Sequence, residues 1–283
     1  MYDRLHRCFS TISQYSKALY ASFYSSVLYA DVVKRWHGLG MGYLLFLIIL
    51  GAIPLSGRVI VAFNHFFQDE VLLPIQVLPL LTIQNGEITY NQTMPYLIKN
   101  NKGEVVSIID TTGTVSEMHK AYPQLKVLIT KNKIDFRPPS YKQFLGLAKN
   151  AIGNPIYTRT FDKGLNGLLS GTEWLHSSGI SRLNTLMQTL VFPCVTLFYF
   201  GVFGVVLLLM SALVQLFSDI FLNLKLPFNA SCRLLAVAAT PTLVLFFFMR
   251  GGNFAVPGMA LVYGVLLPSY TFYGLYSAKR FSV

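Results

Sequence analysis

One long apolar stretch dominates the hydrophobic pattern of the chain. Residues 183–218 contain no charged side chain between Arg182 and Asp219. At ~1.5 Å per residue, a helix of about 36 residues extends roughly 54 Å, which exceeds the ~30 Å hydrocarbon core of a bilayer. The pattern therefore predicts a membrane-crossing helix here. This helix would take the chain back across the membrane after the polar section that precedes it.

Three more apolar stretches are assigned as membrane crossings, at residues 39–67, 234–249 and 255–277, although the stretch at 234–249 has only about 16 residues and is short for a span. The last three crossings make up a region at 183–283, interrupted by a polar loop at 219–233 that includes Arg233. Proline predicts a kink in the first crossing at Pro54 and a break in the fourth at Pro268. The expected architecture is a membrane α-helical protein with four transmembrane helices.

Apolar side chains also recur at steps of three and four in residues 1–38, which predicts an amphipathic helix on the membrane surface. The alternative is a helix packed on a partner domain. Arg58 and Arg250 are assigned to the opposite interface; Arg58 would reach it by extending its side chain, or else face the bundle interior. The residues expected at the first interface are Arg4, Arg7, Lys17, Lys34, Arg35 and Trp36.

The polar middle section, residues 68–182, has the length of one small domain. Asn85-Gly86 supplies the two positive-φ positions of a type I′ turn, and the resulting hairpin pairs Ile83 with Ile88. We expect a small α+β domain, inserted between the first and second crossings. Further strands are expected at 96–99, 104–109 and 126–130, and a helix after Ser140. Residues 153–180, rich in glycine and serine, give no clear pattern, and one interpretation places Leu165, Leu168, Leu169 and Trp174 on short helices.

The segment Val105-Val-Ser-Ile-Ile-Asp110-Thr-Thr-Gly113-Thr suggests two roles for Asp110. An apolar strand followed by Asp-x-Thr-Gly-Thr looks like the phosphorylated-aspartate loop of P-type ATPases and related phosphatases. The lysine of that loop is Thr111 here, and no second acidic cluster for Mg²⁺ follows. An Asp-led structural turn ending at Gly113 is the preferred interpretation.

Other candidate chemistry is sparse in the sequence. Glu173 and His176 form a single Glu-x-x-His pair, without the second copy that di-metal bundles use. No Gly-x-Ser-x-Gly motif provides a serine nucleophile. Three cysteines, at positions 8, 194 and 232, offer no disulfide framework for the middle section. We therefore expect no catalytic residue, no cofactor and no metal site.

Composition supports a membrane location. Hydrophobic residues make up 53% of the chain and charged residues only 12%, whereas soluble domains carry about 25% charged residues. The formal charge of +11 fits anionic lipid headgroups better than nucleic acid, because no arginine-rich run is interleaved with exposed aromatics. Lysine and arginine concentrate in the first, third and last polar segments. By the positive-inside rule both termini are cytoplasmic and residues 68–182 are extracytoplasmic.

Several segments together resemble a known family. They are Leu-Thr-Ile-Gln-Asn-Gly-Glu-Ile (81–88), Ser-Ile-Ile-Asp-Thr-Thr-Gly (107–113), Leu-Ile-Thr-Lys-Asn-Lys-Ile (128–134) and Leu-Pro-Phe-Asn-Ala-Ser-Cys-Arg-Leu (226–234). The chain from about residue 40 onward resembles an uncharacterised bacterial inner-membrane family that includes a maltodextrin-utilisation membrane protein. Its final helices are distantly similar to Yip-type membrane proteins. The resemblance implies a bacterial inner-membrane location and no particular chemistry.

Two functional hypotheses follow. The first is a non-enzymatic accessory or scaffold protein whose extracytoplasmic domain binds a partner protein or ligand, beside a transporter. The second rests on topology alone, because one crossing, an external domain and three crossings also describe permeases of the MacB, LolC and FtsX kind. In that alternative the chain would be a permease-type subunit of an ABC transport or mechanotransmission complex.

Overall fold

The computed structural model describes residues 13–100, 102–118, 122–144, 153–254 and 256–281. It divides into two compact units: Met1–Val59 with Leu190–Val283, here called the helical unit, and Ile60–Thr189, called the strand unit. The helices in chain order are α1 (13–21), α2 (Ser26–Lys34), α3 (Met41–Phe67), α4 (Leu73–Gln76), α5 (Tyr141–Phe144), α6 (Gly171–Ser177), α7 (Ile180–Leu222), α8 (Phe228–Ala238), α9 (Thr240–Gly252) and α10 (Met259–Arg280). The strands are β1 (Leu81–Gln84), β2 (Glu87–Thr89), β3 (Tyr96–Lys99), β4 (Val105–Asp110), β5 (Val127–Thr130), β6 (Lys133–Phe136), β7 (Tyr157–Thr160) and β8 (Gly167–Leu169).

The chain is mostly helical, and two of its helices are long and apolar enough to cross a membrane. One runs from Met41 to Gln76, because a π-helical turn at Gln68–Leu72 joins α3 to α4. The other is the 43-residue α7. A third candidate is the pair α8 and α9, which is bent by 43°. Within the described residues α10 does not join this set, so four crossings are not confirmed.

The N-terminal region differs from the expected single helix. Residues 22–25 interrupt it, and the Ser25 hydroxyl caps the new helix α2 by accepting a bond from the Leu28 N–H at 3.3 Å. The break rotates the apolar face, so that Val27 is exposed while Tyr29 and Val32 are fully buried. The buried side of α2 packs against α8 and α10.

The C-terminal helices also correct the sequence expectation. The loop expected at 219–233 is shorter, because α7 continues to Leu222 and α8 begins at Phe228. Arg233 is consequently a buried residue within a helix. Pro268 does not break α10, and its helix continues through that position.

The strand unit contains two sheets. One has the order β2-β1-β8, and the other has the order β3-β4-β5-β6-β7 with only β4 and β5 parallel. An apolar core lies between the first sheet, one face of the second sheet, α4 and α6. A smaller cluster covers Ile108 and Leu128, which alternate with the core-facing residues along β4 and β5. Ser107 ties α4 to β4 by donating its hydroxyl to the Pro74 carbonyl at 2.8 Å.

The predicted hairpin is confirmed. Asn85 and Gly86 have φ angles of 52° and 78°, and Ile83 pairs with Ile88. The strands expected at 96–99, 104–109 and 126–130 are also confirmed, the last two within one residue of their observed bounds. The helix expected after Ser140 is confirmed for its first turn, and its continuation beyond residue 144 lies outside the described residues. The interpretation of short helices is wrong for Leu168 and Leu169, which lie on β8, and is confirmed for Trp174, which lies on α6.

Candidate binding groove of the strand unit

Asp110 is held in a structural turn at the end of β4. Its Oδ1 atom accepts bonds from the Thr112 N–H at 2.8 Å and the Thr112 hydroxyl at 2.6 Å, and its Oδ2 atom accepts the Val115 N–H. Gly113 adopts a φ of 85° in this turn, a conformation that L side chains rarely adopt. With both oxygens bonded and the side chain fully buried, Asp110 has the geometry of a turn residue and not that of an exposed phosphoryl acceptor.

The ionisation of Asp110 follows from these contacts. Burial alone raises the pKa of the carboxyl group, but the bonds from the Thr112 hydroxyl and the Val115, Thr112 and Gly113 backbone outweigh it. The net effect places the pKa of Asp110 below its ordinary value, because hydrogen bonds to the charged form favour ionisation. Asp110 is therefore an ionised carboxylate that holds the turn after β4 through its hydrogen bonds.

The cations assigned to membrane interfaces occupy different surroundings. Arg4 and Arg7 lie outside the described residues, Lys17 is exposed, and Trp36 is partly buried. The remaining cations of this set form contacts with other residues of the protein. Lys34 donates to the Phe281 carbonyl, Arg35 pairs with Asp31 at 3.4 Å, Arg58 donates to the Arg250 carbonyl, and Arg250 lies 5.9 Å from the Phe246 ring centre.

Arg233 is a buried cation, although the sequence predicted that it lies in a polar loop. It is only 9% exposed and donates to the carbonyls of Val33, at 3.2 Å, and Trp36. Val33 lies in the last turn of α2, where helix carbonyls lack intrahelical partners, and Trp36 follows just beyond the C-cap residue Arg35. Gly40 leaves room for the approach, since a Cβ there would lie 3.1 Å from the Arg233 Cα. Arg233 thus fixes α2 on α8.

The sequence pair Glu173 and His176 lies on the short helix α6, and both side chains are exposed. Within the described part of the chain, no group of three or more His, Cys, Asp or Glu residues could hold a metal ion. Glu173 nevertheless borders a different feature, a surface groove of about 410 Å³.

The groove lies at the open side of the strand unit, where β8 and α6 face β6 and β7. Its walls are largely apolar and are formed by Ile83, Ile134, Phe161, Leu168 and Trp174. Leu168 is 61% exposed, although a side chain of this kind usually gains 1.5–3 kcal/mol from burial. Sequence reasoning missed the groove, because its walls come from segments separated by up to about 90 residues.

Two charged side chains line the same groove, Arg159 from β7 and Glu173 from α6. The described ion pairs of the strand unit are Lys126–Glu70, Lys131–Glu87 and Lys133–Asp135, and none involves either residue. The groove therefore combines apolar walls with a cation and an anion that have no ionic partner among the described residues. Such a combination is suited to binding a partner with matching polar groups.

Comparison of the sequence with models of protein families shows the family to which the chain belongs. The family model described as "Protein of unknown function (DUF1189)" matches residues 16–275. The match includes most of both units, so the chain belongs to this family. No curated protein and no solved structure matches the chain, and the narrower resemblances to a maltodextrin-utilisation protein and to Yip-type proteins stay predictions.

Proposed function

We propose that this protein is a non-enzymatic accessory or scaffold protein of the bacterial inner membrane, and that its strand unit binds a partner protein outside the cytoplasm. The observation that carries the proposal is the groove. It exposes Leu168 and carries Arg159 and Glu173, neither of which has an ionic partner among the described residues, whereas Asp110 and Lys126 of the same unit bond within it. An exposed apolar surface that also carries charged side chains is typical of a binding site.

The membrane placement in this proposal has four crossings: α3, α7, the bent pair α8–α9, and α10. The two long apolar helices support the first two crossings, and the apolar bent pair supports the third. α10 has 22 residues, enough for a span of ~30 Å, and its last turn carries Lys279 and Arg280. With both termini cytoplasmic, these two cations lie on the side that the positive-inside rule predicts.

Cross-linking in intact cells tests partner binding. A photoreactive amino acid at Leu168 should give a discrete adduct with a second protein. The matched control is the same amino acid at Leu97, which is also exposed but lies on β3, away from the groove. Arg159→Glu in the Leu168 derivative should abolish the adduct. Equal adducts from both positions, or none from Leu168, would contradict the proposal.

The permease-type alternative keeps one supporting observation. α7 is a single helix of 43 residues that contains residues of both units, as a force-transmitting stalk requires. A permease subunit must dock a cytoplasmic ATPase, and the segments available for docking are residues 1–37 and 223–227. Co-purification of an ATPase with the wild-type chain, lost on replacing residues 223–227 by glycine and serine, would favour the alternative.

A further inference from the structure

The outer edge of β8 is open, and the hydrogen-bond ladder shows which backbone groups face outward. In a two-residue hairpin, the residues that flank the turn form a hydrogen-bonded pair, here Gln84 and Glu87. The next pair, Ile83 and Ile88, therefore points its backbone groups away from each other. The Ile88 N–H confirms this direction, since it donates to the Lys131 carbonyl at 2.7 Å.

The same alternation fixes the orientation of β8. Ile83 pairs with Gly167 and Leu81 pairs with Leu169, so these residues of β8 bond inward to β1. The N–H and C=O of Leu168 consequently face outward. Ser170 continues the extended conformation with φ −110° and ψ 136°, which also turns its N–H outward. No strand in the described residues pairs with this edge.

The other sheet edges differ from β8. The outer edge of β2 is engaged through the Ile88 bond to Lys131. β3 has a register irregularity between Ile98 and Lys99, a feature that discourages edge pairing. On β7 the Phe161 N–H bond to the Asn132 carbonyl sets the alternation, so Arg159 bonds inward and its side chain alone reaches the groove. β8 is thus the edge whose outward backbone groups border the groove.

We propose that β8 accepts an extended segment of the partner protein as an added strand. This inference rests on the proposed function and names the chemistry of its partner. Leu168 and Ser170 would supply two N–H donors and one carbonyl acceptor, a recognition mode in which backbone bonds give affinity and side chains give specificity. Apolar side chains of the segment contact Leu168 and Trp174. An acidic side chain faces Arg159 and a basic one faces Glu173, which together set the direction of the strand.

The test uses a defined probe, a phage-displayed library of random 12-residue peptides, selected on the full chain in lipid nanodiscs. Selected peptides should combine apolar residues with an acidic and a basic residue. Leu168→Pro removes the outward N–H but no bond to β1, and should weaken their binding about tenfold. Leu168→Ala keeps the N–H and should weaken it less, about threefold. Thr160→Pro, also on the outward-facing register of β7 and with no described side-chain hydrogen bond, is the matched control and should leave binding unchanged.

A second measurement needs no variant and so does not depend on the folding of Leu168→Pro. Amide hydrogen exchange in the wild-type chain should slow at Leu168 and Ser170 when a selected peptide binds. Charge reversal adds specificity: Arg159→Glu should weaken an acidic peptide, and replacing that acid by lysine should restore binding.

Two outcomes would overturn strand addition. One is no enrichment above empty nanodiscs, and the other is peptide binding that is unaffected by Leu168→Pro and does not slow amide exchange. A partner cross-linked at Leu168 in cells, together with either outcome, would leave the proposed function standing without strand addition. Failure of the cellular cross-link alone would remove the proposed function instead.

Discussion

Both units of this protein bury cations, and Lys126 in the strand unit and Arg233 in the helical unit are stabilised by different kinds of partner. The strand unit also buries Arg137, which donates to the Met118 carbonyl at 3.4 Å. In the strand unit Lys126 is only 2% exposed and forms an ion pair with Glu70. In the helical unit Arg233 has no carboxylate among its described partners. It bonds instead to the carbonyls of Val33, in the last turn of α2, and of Trp36, just beyond that helix. The C-terminal end of a helix carries partial negative charge, so it also attracts a cation, although more weakly than the full charge of a carboxylate does.

The difference reflects where the acidic residues are. The chain has 12 Asp and Glu residues in total, and the sequence of the helical unit contains only Asp3, Asp31 and Asp219 of them. A unit that is meant to lie in lipid avoids carboxylates, since each charged group is costly there. Backbone carbonyls at a helix end are then the available acceptors. The scarcity of carboxylates in the helical unit therefore supports a membrane environment for that unit and an aqueous one for the strand unit.

The largest effect should come from breaking the ion pair of the strand unit. Glu70→Gln leaves Lys126 buried without a charged partner, which costs about 3 kcal/mol of stability in comparable pairs. The matched control is Glu87→Gln, whose pair with Lys131 is exposed on both sides and should cost less than about 0.5 kcal/mol. Protease resistance of the strand unit, measured on the full chain in detergent, should fall steeply for the first variant. Equal behaviour of the two would contradict the comparison.

A smaller effect should come from Arg233→Met, which keeps an apolar side chain but leaves the α2 carbonyls unbonded. We expect a loss of about 2 kcal/mol in the docking of α2, since hydrogen bonds to charged groups contribute about 1.5–3 kcal/mol. The neighbouring Cys232 is buried, whereas Cys194 is exposed, so the two thiols provide a signal and an internal reference. With Cys8 replaced by serine, the reactivity of Cys232 should rise about tenfold relative to Cys194. Unchanged reactivity would show that Arg233 does not hold α2.

The smallest effect concerns Asp110 and depends on pH. Its folded-state pKa is lowered, so its stabilising contribution is present above the unfolded pKa of about 3.9 and is lost as pH falls through the folded value. From sequence alone, Asp110→Asn should be nearly silent, because asparagine keeps one oxygen. The structure corrects this, since the amide would present a donor to the Val115 N–H. We expect a loss of about 1 kcal/mol at pH 7 and a smaller loss of stability on acidification than in the wild type. Thermal unfolding between pH 3 and pH 7 measures both quantities. If the variant lost as much stability on acidification as the wild type, the stabilising role of the Asp110 carboxylate would be contradicted.

The sequence predicted those features that depend on neighbouring residues. Asn85-Gly86 specifies its own turn, and the apolar length of residues 183–218 specifies a long helix. It failed where distant contacts decide the structure. β7 is exposed along its whole length and has no apolar alternation, so only its pairing with β6 identifies it. Arg233 beside an apolar run looks the same as a cation at a membrane interface, and only its bonds to α2 reveal its burial.

The groove was not predictable from local patterns for the same reason. Ile83, Arg159 and Trp174 meet only after both sheets have formed, and none of them belongs to a recognisable motif. The two N-terminal helices gave a different difficulty, because the helical spacing of apolar residues continues through the turn at 22–25 without glycine or proline. The structure separates them through the cap at Ser25.

The central claim is that the helical unit crosses the membrane and presents the strand unit outside the cytoplasm. The most direct test is thiol labelling in intact cells, with single cysteines introduced at exposed lysines in a background lacking Cys8, Cys194 and Cys232. Cysteines at Lys102 and Lys163 of the strand unit should react with a membrane-impermeant reagent. Cysteines at Lys225 and Lys279 should react only after the cells are permeabilised. Labelling at Lys225 and Lys279 but not at Lys102 and Lys163 in intact cells would contradict the account.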